Sequence, residues 1–301
     1  MNHLLSKIGS YPFEKLNLLH KDIKPSKEVI NLSIGEPKLN ADSKVLDILN
    51  KETNSFSNYP PMNAVPELSE AYRQYLKNHF GIENVAEDEV CLVAGTREGT
   101  FSIIQALFNK DNVKDKPYVV MPNPFYQIYG GATTLAGGEA KFLDCPEEDN
   151  FQPDLDSLKS EDWQKCQILV LCSPNNPTGS VLPLSKLKNI LDLAEKYDFY
   201  VVSDECYVDL YTSEKSCPSI LQASSDRSDR LIALHSLSKR SNLPGFRSGF
   251  ACSGKKTISA YKKFRSFHGV SVPLPIQKAS VEAWLNLSLI HISEPTRRAI
   301  I

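Results

Sequence analysis

The sequence predicts an α/β fold, in which a mostly parallel sheet has helices on both faces. From about residue 89 onward, short runs rich in β-branched residues alternate with longer segments whose apolar residues recur every three or four positions. That alternation is typical of parallel sheets flanked by helices. The length of 301 residues and the hydrophobic fraction of 41% allow one large buried core and part of a second domain.

The predicted elements follow one another along the chain. Residues 1–40 form an N-terminal arm containing several prolines, and a turn-rich stretch around residues 60–66 leads into a helix at 68–79. Further helices are predicted at 98–108 and 184–197, where apolar residues have helical spacing. The predicted strands are 89–94, 118–121, 167–172, 199–203, 231–235 and 249–252.

Charge and composition exclude several classes of protein. Lys and Arg number 34 against 36 Asp and Glu, so no broad basic surface is available for nucleic acid or an anionic membrane. We therefore expect a small-molecule substrate. Apolar runs such as residues 168–172 are far shorter than the roughly 18 residues of a membrane helix, and residues 1–17 lack a signal-peptide core. We expect a cytoplasmic protein.

The cysteines suggest neither a disulfide framework nor a metal site. All seven are scattered, odd in number and without CxxC spacing, and several lie in apolar strand-like runs. We interpret them as reduced core residues and expect no metal-binding site.

A strand end near residue 236 carries the first group suited to chemistry. In open α/β sheets, ligands bind beyond the carboxyl ends of the strands. After the strand at 231–235 comes SLSK, residues 236–239, with Arg247 eight residues further on. Hydroxyls and an arginine suit a phosphate dianion, and a lysine held out of bulk water can form a Schiff base. A solvated loop with ordinary charges would also explain these residues.

Two further strand ends present polar groups. In VVSDECY, the Asp204 carboxylate ends a strand and the Tyr207 phenol follows three residues later. A buried Asp could keep a pyridine nitrogen protonated and so make the ring an electron sink, although a lone Asp here commonly caps a helix. In SPNNPTG, residues 173–179, a proline-held turn presents the Asn176 amide, and turn chemistry alone explains it equally well.

The fourth segment is AGTRE, residues 94–98, a strand end followed by a glycine and a helix. Free backbone N–H groups and the helix dipole at such a helix start attract an anion. Alone this signal is weak, and the order and spacing of all four segments together carry the inference.

The motifs SPNNPTG, DECY and SLSK with the distal Arg247 resemble the class I and II aminotransferases, from about residue 31 to 268. The resemblance implies the fold type I architecture of transferases that depend on pyridoxal 5′-phosphate. It also implies a large cofactor-binding domain and a small domain, which is incomplete here. The implied reaction moves an amino group between a small amino acid and a 2-oxo acid.

The resemblance assigns roles to individual residues. Lys239 is the Schiff-base lysine and proton shuttle, and Asp204 pairs with the ring nitrogen. Asn176 and Tyr207 hydrogen-bond the ring hydroxyl. Tyr126 in NPFYQIY stacks on the ring, although a core aromatic is the alternative for it. The remaining cofactor contacts, mostly to the phosphate, fall to Ser236, Ser238, Arg247 and the backbone of Thr96 and Arg97.

Family members are homodimers with shared sites, which implies a homodimer here. Tyr59 in NYPPMNAVPEL matches the tyrosine that reaches the partner's phosphate. Gly35 in LSIGEP matches the glycine whose backbone lies beside the substrate carboxylate, so Gly35 and Asn176 are the candidate substrate-binding positions.

A closer resemblance concerns YPFEKL at residues 11–16, NLSIGEPK at 31–38 and NPFYQIYGGA at 123–132. These look like the proteobacterial succinyldiaminopimelate aminotransferases. The resemblance implies transamination of N-succinyl-2-amino-6-oxopimelate with glutamate, a step in diaminopimelate and lysine biosynthesis. Acetylornithine, aspartate or an aromatic acid remain open as substrates. A carbon–sulfur lyase or decarboxylase on this fold and a noncatalytic cofactor-binding module also remain open.

The expected domains are an N-terminal arm belonging partly to the small domain (1–40), a large cofactor-binding domain (41–258) and the start of a C-terminal small domain (259–286).

Residues 287–301 resemble no part of the family, and 287–297 match the translation of a transposase sequencing adapter. We therefore expect a non-native tail and a protein that continues past residue 286, toward the family's carboxylate-binding arginine. We expect the 301-residue chain to be inactive and poorly soluble, with apolar surface exposed at 255–268 and 273–285.

Overall fold

The computed structural model describes residues 1–30, 35, 40–111, 116–210, 217–224 and 229–286. Within them the strands are β1 (Val90–Val93), β2 (Tyr118–Asn123), β3 (Glu139–Asp144), β4 (Cys166–Cys172), β5 (Tyr200–Asp204), β6 (Leu231–Ser236) and β7 (Gly249–Ser253). The helices are α1 (Pro12–His20), α2 (Ser43–Lys51), α3 (Pro66–Phe80), α4 (Thr96–Leu107), α5 (Ile128–Leu135), α6 (Ser160–Lys165), α7 (Leu184–Tyr197), α8 (Leu237–Arg240), α9 (Lys255–His268) and α10 (Leu274–Asn286). The adapter-like tail lies outside the described residues, and the inference about it stays a prediction.

The strands form one sheet in the order β1-β7-β6-β5-β4-β2-β3. Strands β2 to β6 pair in parallel, whereas β7 pairs antiparallel with both β1 and β6. This confirms the α/β class with a mostly parallel sheet and flanking helices. Because β4, β5 and β6 are parallel neighbours, their carboxyl ends meet at one edge, where Cys172 pairs with Asp204 and Asp204 with Leu234.

Alternate residues of the buried strands face two separate apolar clusters, because side chains along a strand point to opposite faces. Val201 and Ala233 belong to the cluster that includes side chains of α2, α3, α7 and α10. Val202 and Leu234 belong to the other, which includes side chains of α4, α5 and α9. By the same alternation, Asp204 continues the Val202 face and Glu205 the opposite one.

The predicted elements are all present, with ends shifted by up to two residues. The helix predicted at 184–197 has those bounds, whereas α3 begins at Pro66, two residues earlier than predicted. One strand, β3, was missed. It forms the edge beside β2, and only Leu143 among its six residues is buried, so its sequence lacks the apolar run of a central strand.

The expected exposure of apolar surface in α9 and α10 is largely wrong. In α9, Ile258 and Tyr261 are buried; in α10, Trp284 is 1% exposed and Ala283 is buried against α2 and α3. Phe267 stays 87% exposed. The division into domains near residue 259 stays a prediction. No helix in the described part of the chain is long and apolar enough to span a bilayer.

Candidate active site

A cavity of about 710 Å³ lies beyond the carboxyl ends of β4, β5 and β6. Side chains from all four segments singled out in the sequence line it, together with residues of the N-terminal arm. The lining residues named by the sequence analysis for the site are Gly35, Thr96, Arg97, Tyr126, Asn176, Asp204, Tyr207, Ser238, Lys239 and Arg247.

Asp204 is the buried acid of this cavity. It ends β5 and is 2% exposed. The Tyr129 hydroxyl donates to Oδ2 at 3.1 Å, and the Cys206 backbone N–H donates to Oδ1 at 3.3 Å. Burial raises the pKa of the Asp204 carboxyl, and these hydrogen bonds act in the opposite direction. A cation bound in the cavity would offset the cost of keeping this carboxylate ionised.

Lys239, Tyr207 and Asn176 meet on one side of the cavity. The half-buried Lys239 ammonium contacts the Gly35 carbonyl oxygen and lies 5.9 Å from the centroid of the Tyr207 ring. Asn176 Nδ2 donates to the Tyr207 hydroxyl at 3.4 Å. Burial raises the pKa of Tyr207, so its hydroxyl stays protonated at neutral pH and can donate a hydrogen bond.

Another part of the cavity lining suits a phosphate. Helix α4 begins at Thr96, and the backbone N–H groups of its first turn are available to an anion. Arg247 lies beside this turn, where Nη2 donates to the Ala94 carbonyl at 2.8 Å and Nη1 to the Pro244 carbonyl at 3.0 Å. Gly95 has a φ of +80°, which strains any residue with a side chain, and a Cβ there would lie 2.6 Å from Arg247 Nη2, so the guanidinium would have to shift.

Ser236 and Tyr59 do not line the cavity. The buried Ser236 hydroxyl donates to Ser238 Oγ at 2.9 Å and accepts from the Ser238 backbone N–H at 3.1 Å, which caps α8. Its contact with the site therefore passes through Ser238. Tyr59 is fully exposed in this chain.

Several cavity residues were not predicted as site residues. Tyr11 and Phe13 of the arm line the cavity, with the Gln127 side-chain amide donating to the Tyr11 hydroxyl at 2.9 Å and the Arg97 guanidinium 5.7 Å from the Tyr11 ring. Tyr129 is fully buried and follows Tyr126 by three residues. Residues three positions apart lie on the same face of a helix, so the position of Tyr126 could have predicted that Tyr129 also faces the site.

The cysteines agree with the sequence interpretation as core residues. All seven are free, and five of them are buried. Cys172 and Cys206 line the cavity near Asp204, where burial raises the pKa of both thiols, so neither is a thiolate at neutral pH.

Comparison with known proteins decides the family. The family model for "Aminotransferase class I and II" matches residues 27–300. The chain belongs to this family. The cofactor of this aminotransferase is pyridoxal phosphate, and the cavity fits it. The buried carboxylate of Asp204 lines one part of the cavity, and the start of α4 with Arg247 lines another. Phosphate is bound by such helix starts.

Individual relatives carry more specific names. An aminotransferase from Neisseria meningitidis has 38% identity and a TM-score of 0.92, covering 99% of this chain and 77% of that one. The aminotransferase AspB of Helicobacter pylori has 36% identity and a TM-score of 0.86, covering 93% and 74%. The LL-diaminopimelate aminotransferase of Natranaerobius thermophilus is 27% identical over 287 residues, which are 94% of this chain and 73% of the relative.

The range matched by the family extends into residues 287–300, which the sequence analysis expected to resemble no part of the family.

Proposed function

We propose that this aminotransferase transfers the amino group of glutamate to N-succinyl-2-amino-6-oxopimelate, with Lys239 as the reactive lysine. The observation that carries the proposal is the convergence of Lys239, Asp204 and the α4 start with Arg247 on one cavity. A nucleophilic amine, a buried acid and an anion site are the three groups that the cofactor's aldehyde, ring nitrogen and phosphate require.

Bound pyridoxal phosphate supplies an electron sink for the electron pair left at Cα when a substrate proton is removed. Asp204 holds the positively charged ring nitrogen, because a buried carboxylate gains most from a cation at its side. Asn176 and Tyr207 would donate hydrogen bonds to the ring hydroxyl. Tyr126 would stack on the ring.

The protein holds the phosphate through the first turn of α4, the Arg247 guanidinium and the Ser238 hydroxyl, with Ser236 acting through Ser238. The guanidinium already donates to two backbone carbonyls, so it is oriented before any ligand arrives.

Lys239 removes the proton from Cα of the amino acid and would deliver it to C4′ of the cofactor. In the second half-reaction Lys239 would move a proton in the reverse direction, from C4′ to Cα. Its position between the Gly35 carbonyl and the Tyr207 ring supports this role, because both neighbours line the same cavity. Gly35 and Asn176 both line the cavity and are the positions at which the substrate carboxylate would bind.

The substrate assignment is the finer part of the proposal. Support comes from the arm, where Tyr11 and Phe13 line the cavity within the YPFEKL segment that resembles succinyldiaminopimelate aminotransferases. The names of several relatives favour the unsuccinylated compound, LL-diaminopimelate, as the second candidate.

A direct test supplies 2-oxoglutarate as acceptor and measures glutamate formed from each amino donor. The donors are N-succinyl-LL-2,6-diaminopimelate, LL-2,6-diaminopimelate, acetylornithine and aspartate. The proposal expects the highest kcat/KM for the succinylated donor. A higher value for LL-2,6-diaminopimelate would reassign the substrate and leave the aminotransferase assignment intact. Turnover without any 2-oxo acid would instead indicate a carbon–sulfur lyase or decarboxylase.

We also propose that the working form is a homodimer in which Tyr59 serves the partner's site. Tyr59 is fully exposed, and its neighbours Phe56 and Met62 are 57% and 52% exposed, which makes an apolar patch typical of an interface. Light scattering gives the mass in solution. Mixing Lys239→Ala with Tyr59→Ala subunits should restore activity above that of either variant, because the hybrid contains one complete site. No recovery after subunit exchange would argue against a shared site.

A further inference from the structure

A buried charged cluster lies on the sheet face opposite the cavity, behind Asp204 and Lys239. It consists of two carboxylates, Glu205 and Asp209, and two basic side chains, His235 and Arg240, each at most 6% exposed. We call these four residues the back-face cluster. None of them lines the cavity, so the proposed function leaves them without a role.

The ion pairs of the back-face cluster join the two chain segments that carry the proposed catalytic groups. His235 Nε2 lies 3.0 Å from Glu205 Oε2, and Arg240 Nε lies 3.7 Å from Asp209 Oδ2. Both carboxylates belong to residues 204–209, the segment of Asp204 and Tyr207. Both basic residues belong to residues 235–240, the segment of Lys239.

The Glu205–His235 pair is fixed by further hydrogen bonds. Glu205 Oε1 accepts from the Ser203 hydroxyl at 2.9 Å and from the Ile220 backbone N–H at 2.8 Å. His235 Nδ1 lies 2.8 Å from the Tyr72 hydroxyl of α3. Each partner is therefore contacted from two sides.

The Asp209–Arg240 pair is fixed in the same way. Asp209 accepts from the Tyr75 hydroxyl at 2.9 Å, and His79 Nε2 lies 3.4 Å from its other oxygen. The Arg240 guanidinium donates to the carbonyls of Ala283 and Trp284 in α10. It also lies over the Tyr75 and Trp284 rings, with its central carbon 4.7 and 5.3 Å from their centroids.

Stability alone does not explain four ionisable side chains at this depth. Replacing a buried ion pair by well-packed apolar residues is often neutral or stabilising, because both charges lose their hydration on burial. Ion pairs and hydrogen bonds add directional contacts, which fix the relative position of the groups they join.

We propose that the back-face cluster is a positioning device, which sets the distance between Lys239 and the Asp204–Tyr207 segment. This rests on the proposed roles of Lys239 and Asp204. Arg240 adjoins Lys239 in the chain, and Glu205 adjoins Asp204, so a change in the cluster reaches each reactive group through one peptide unit. Misplacing a reactive group by about 1 Å can lower a rate about 100-fold.

The test separates positioning from stability by removing both charges of one pair. Asp209→Leu and Arg240→Met each leave one buried charge without its partner, so each alone lowers Tm. The double variant Asp209→Leu/Arg240→Met removes both charges and should recover a Tm close to that of the wild type. Its matched control is Lys141→Met/Asp162→Leu, which removes a 3.0 Å ion pair away from the cavity.

Two measurements report on position in protein reconstituted with pyridoxal phosphate. The first is the pH midpoint at which the absorption of the bound cofactor changes, and the second is kcat. Moving a charge from 4 to 5 Å from its neighbour changes a pKa by roughly half a unit. We expect a midpoint shift of about that size and a kcat at least about tenfold lower in the double variant, with neither change in the control.

A recovered Tm with a wild-type midpoint and kcat would overturn the proposal. If the double variant does not fold, Glu205→Gln decides the question. This change removes the charge facing His235 but keeps a carbonyl oxygen for Ser203 and Ile220, and an unchanged midpoint there would equally overturn the proposal. Lys239→Ala should abolish the pH-dependent absorption change. If that change persists, the proposed role of Lys239 fails, which is a different result from failure of the positioning role.

Discussion

Asp204 and Glu205 are neighbours at the end of β5, and both residues are 2% exposed, yet their surroundings differ. Glu205 faces α3, with His235 Nε2 at 3.0 Å. Asp204 faces the cavity and receives hydrogen bonds from Tyr129 and the Cys206 backbone. Within the described part of the chain, no basic side chain lies within ion-pair distance of Asp204.

The difference indicates where the positive partner of each carboxylate comes from. A buried carboxylate is costly unless a cation compensates it. The chain supplies Glu205 with partners of its own, because His235 Nε2 lies 3.0 Å from Oε2, and Ser203 and Ile220 donate hydrogen bonds to Oε1. For Asp204 we propose that the cation arrives with the ligand, as the protonated ring nitrogen of the cofactor.

The largest expected effect concerns the lysine on the cavity face. Lys239→Ala removes both the nucleophile and the proton carrier, so the transamination rate should fall by at least about 10⁴-fold. Cofactor should remain bound through the phosphate contacts. Single-turnover kinetics with glutamate measure the rate, and Lys262→Ala on the surface of α9 is the control. A near-normal rate in Lys239→Ala would remove Lys239 from the mechanism.

The second effect compares the two carboxylates directly. Asp204→Asn keeps the shape and removes the charge, and losing a buried charge partner costs about 3–5 kcal/mol, or a kcat lower by about two to four decades. Glu205→Gln should lower kcat less and Tm more, because its partner His235 belongs to the protein. Equal losses of kcat in the two variants would contradict the distinction between ligand-paired and protein-paired carboxylates.

The third effect concerns the phosphate end. Arg247→Ala removes charge-assisted hydrogen bonds worth about 1.5–3 kcal/mol, so the Kd for pyridoxal phosphate should rise about 10- to 150-fold. Arg230→Ala, which removes a surface ion pair with Glu195, should leave the Kd unchanged. Equilibrium titration of cofactor-free protein measures both values. An unaltered Kd in Arg247→Ala would remove the phosphate role of Arg247.

The smallest effect is the pH dependence of stability without cofactor. Burial raises the pKa of Asp204 above its ordinary value of 3.8, so the folded protein keeps this proton in a pH range where the unfolded chain has lost it. The contribution of Asp204 to the free energy of unfolding therefore falls as pH rises from about 4 through the raised folded-state pKa. In cofactor-free protein, the Tm of Asp204→Asn relative to the wild type should therefore increase as pH rises over that range.

Thermal melts across this pH range check the prediction, with the exposed Asp198→Asn as control. A difference that stays constant with pH would mean that the carboxylate is not penalised by burial.

The sequence predicted the fold and the cavity well where short, contiguous motifs carry the information. Strand ends followed by polar motifs placed Asp204, Asn176 and Lys239 correctly at one edge, because the carboxyl ends of parallel strands share that edge. The edge strand β3 was missed because five of its six residues are not buried, so it carries no continuous apolar pattern.

What the sequence could not predict depends on contacts between distant segments. Tyr11 reaches Gln127 across 116 positions, and no local pattern specifies that the arm contacts the cavity. No local pattern indicated the contacts of Arg240, because its partners lie in Asp209 and α10. The burial of Trp284 was likewise missed, because it depends on the packing of α10 against α3.

The most direct measurement is chemical trapping of the cofactor on the protein. Borohydride reduction of the pyridoxal-phosphate-loaded protein, followed by digestion and peptide mass spectrometry, identifies the lysine that carries the cofactor. We expect the added mass on the peptide containing Lys239. Labelling of a different lysine, or no stable labelling in protein that has bound the cofactor, would contradict it.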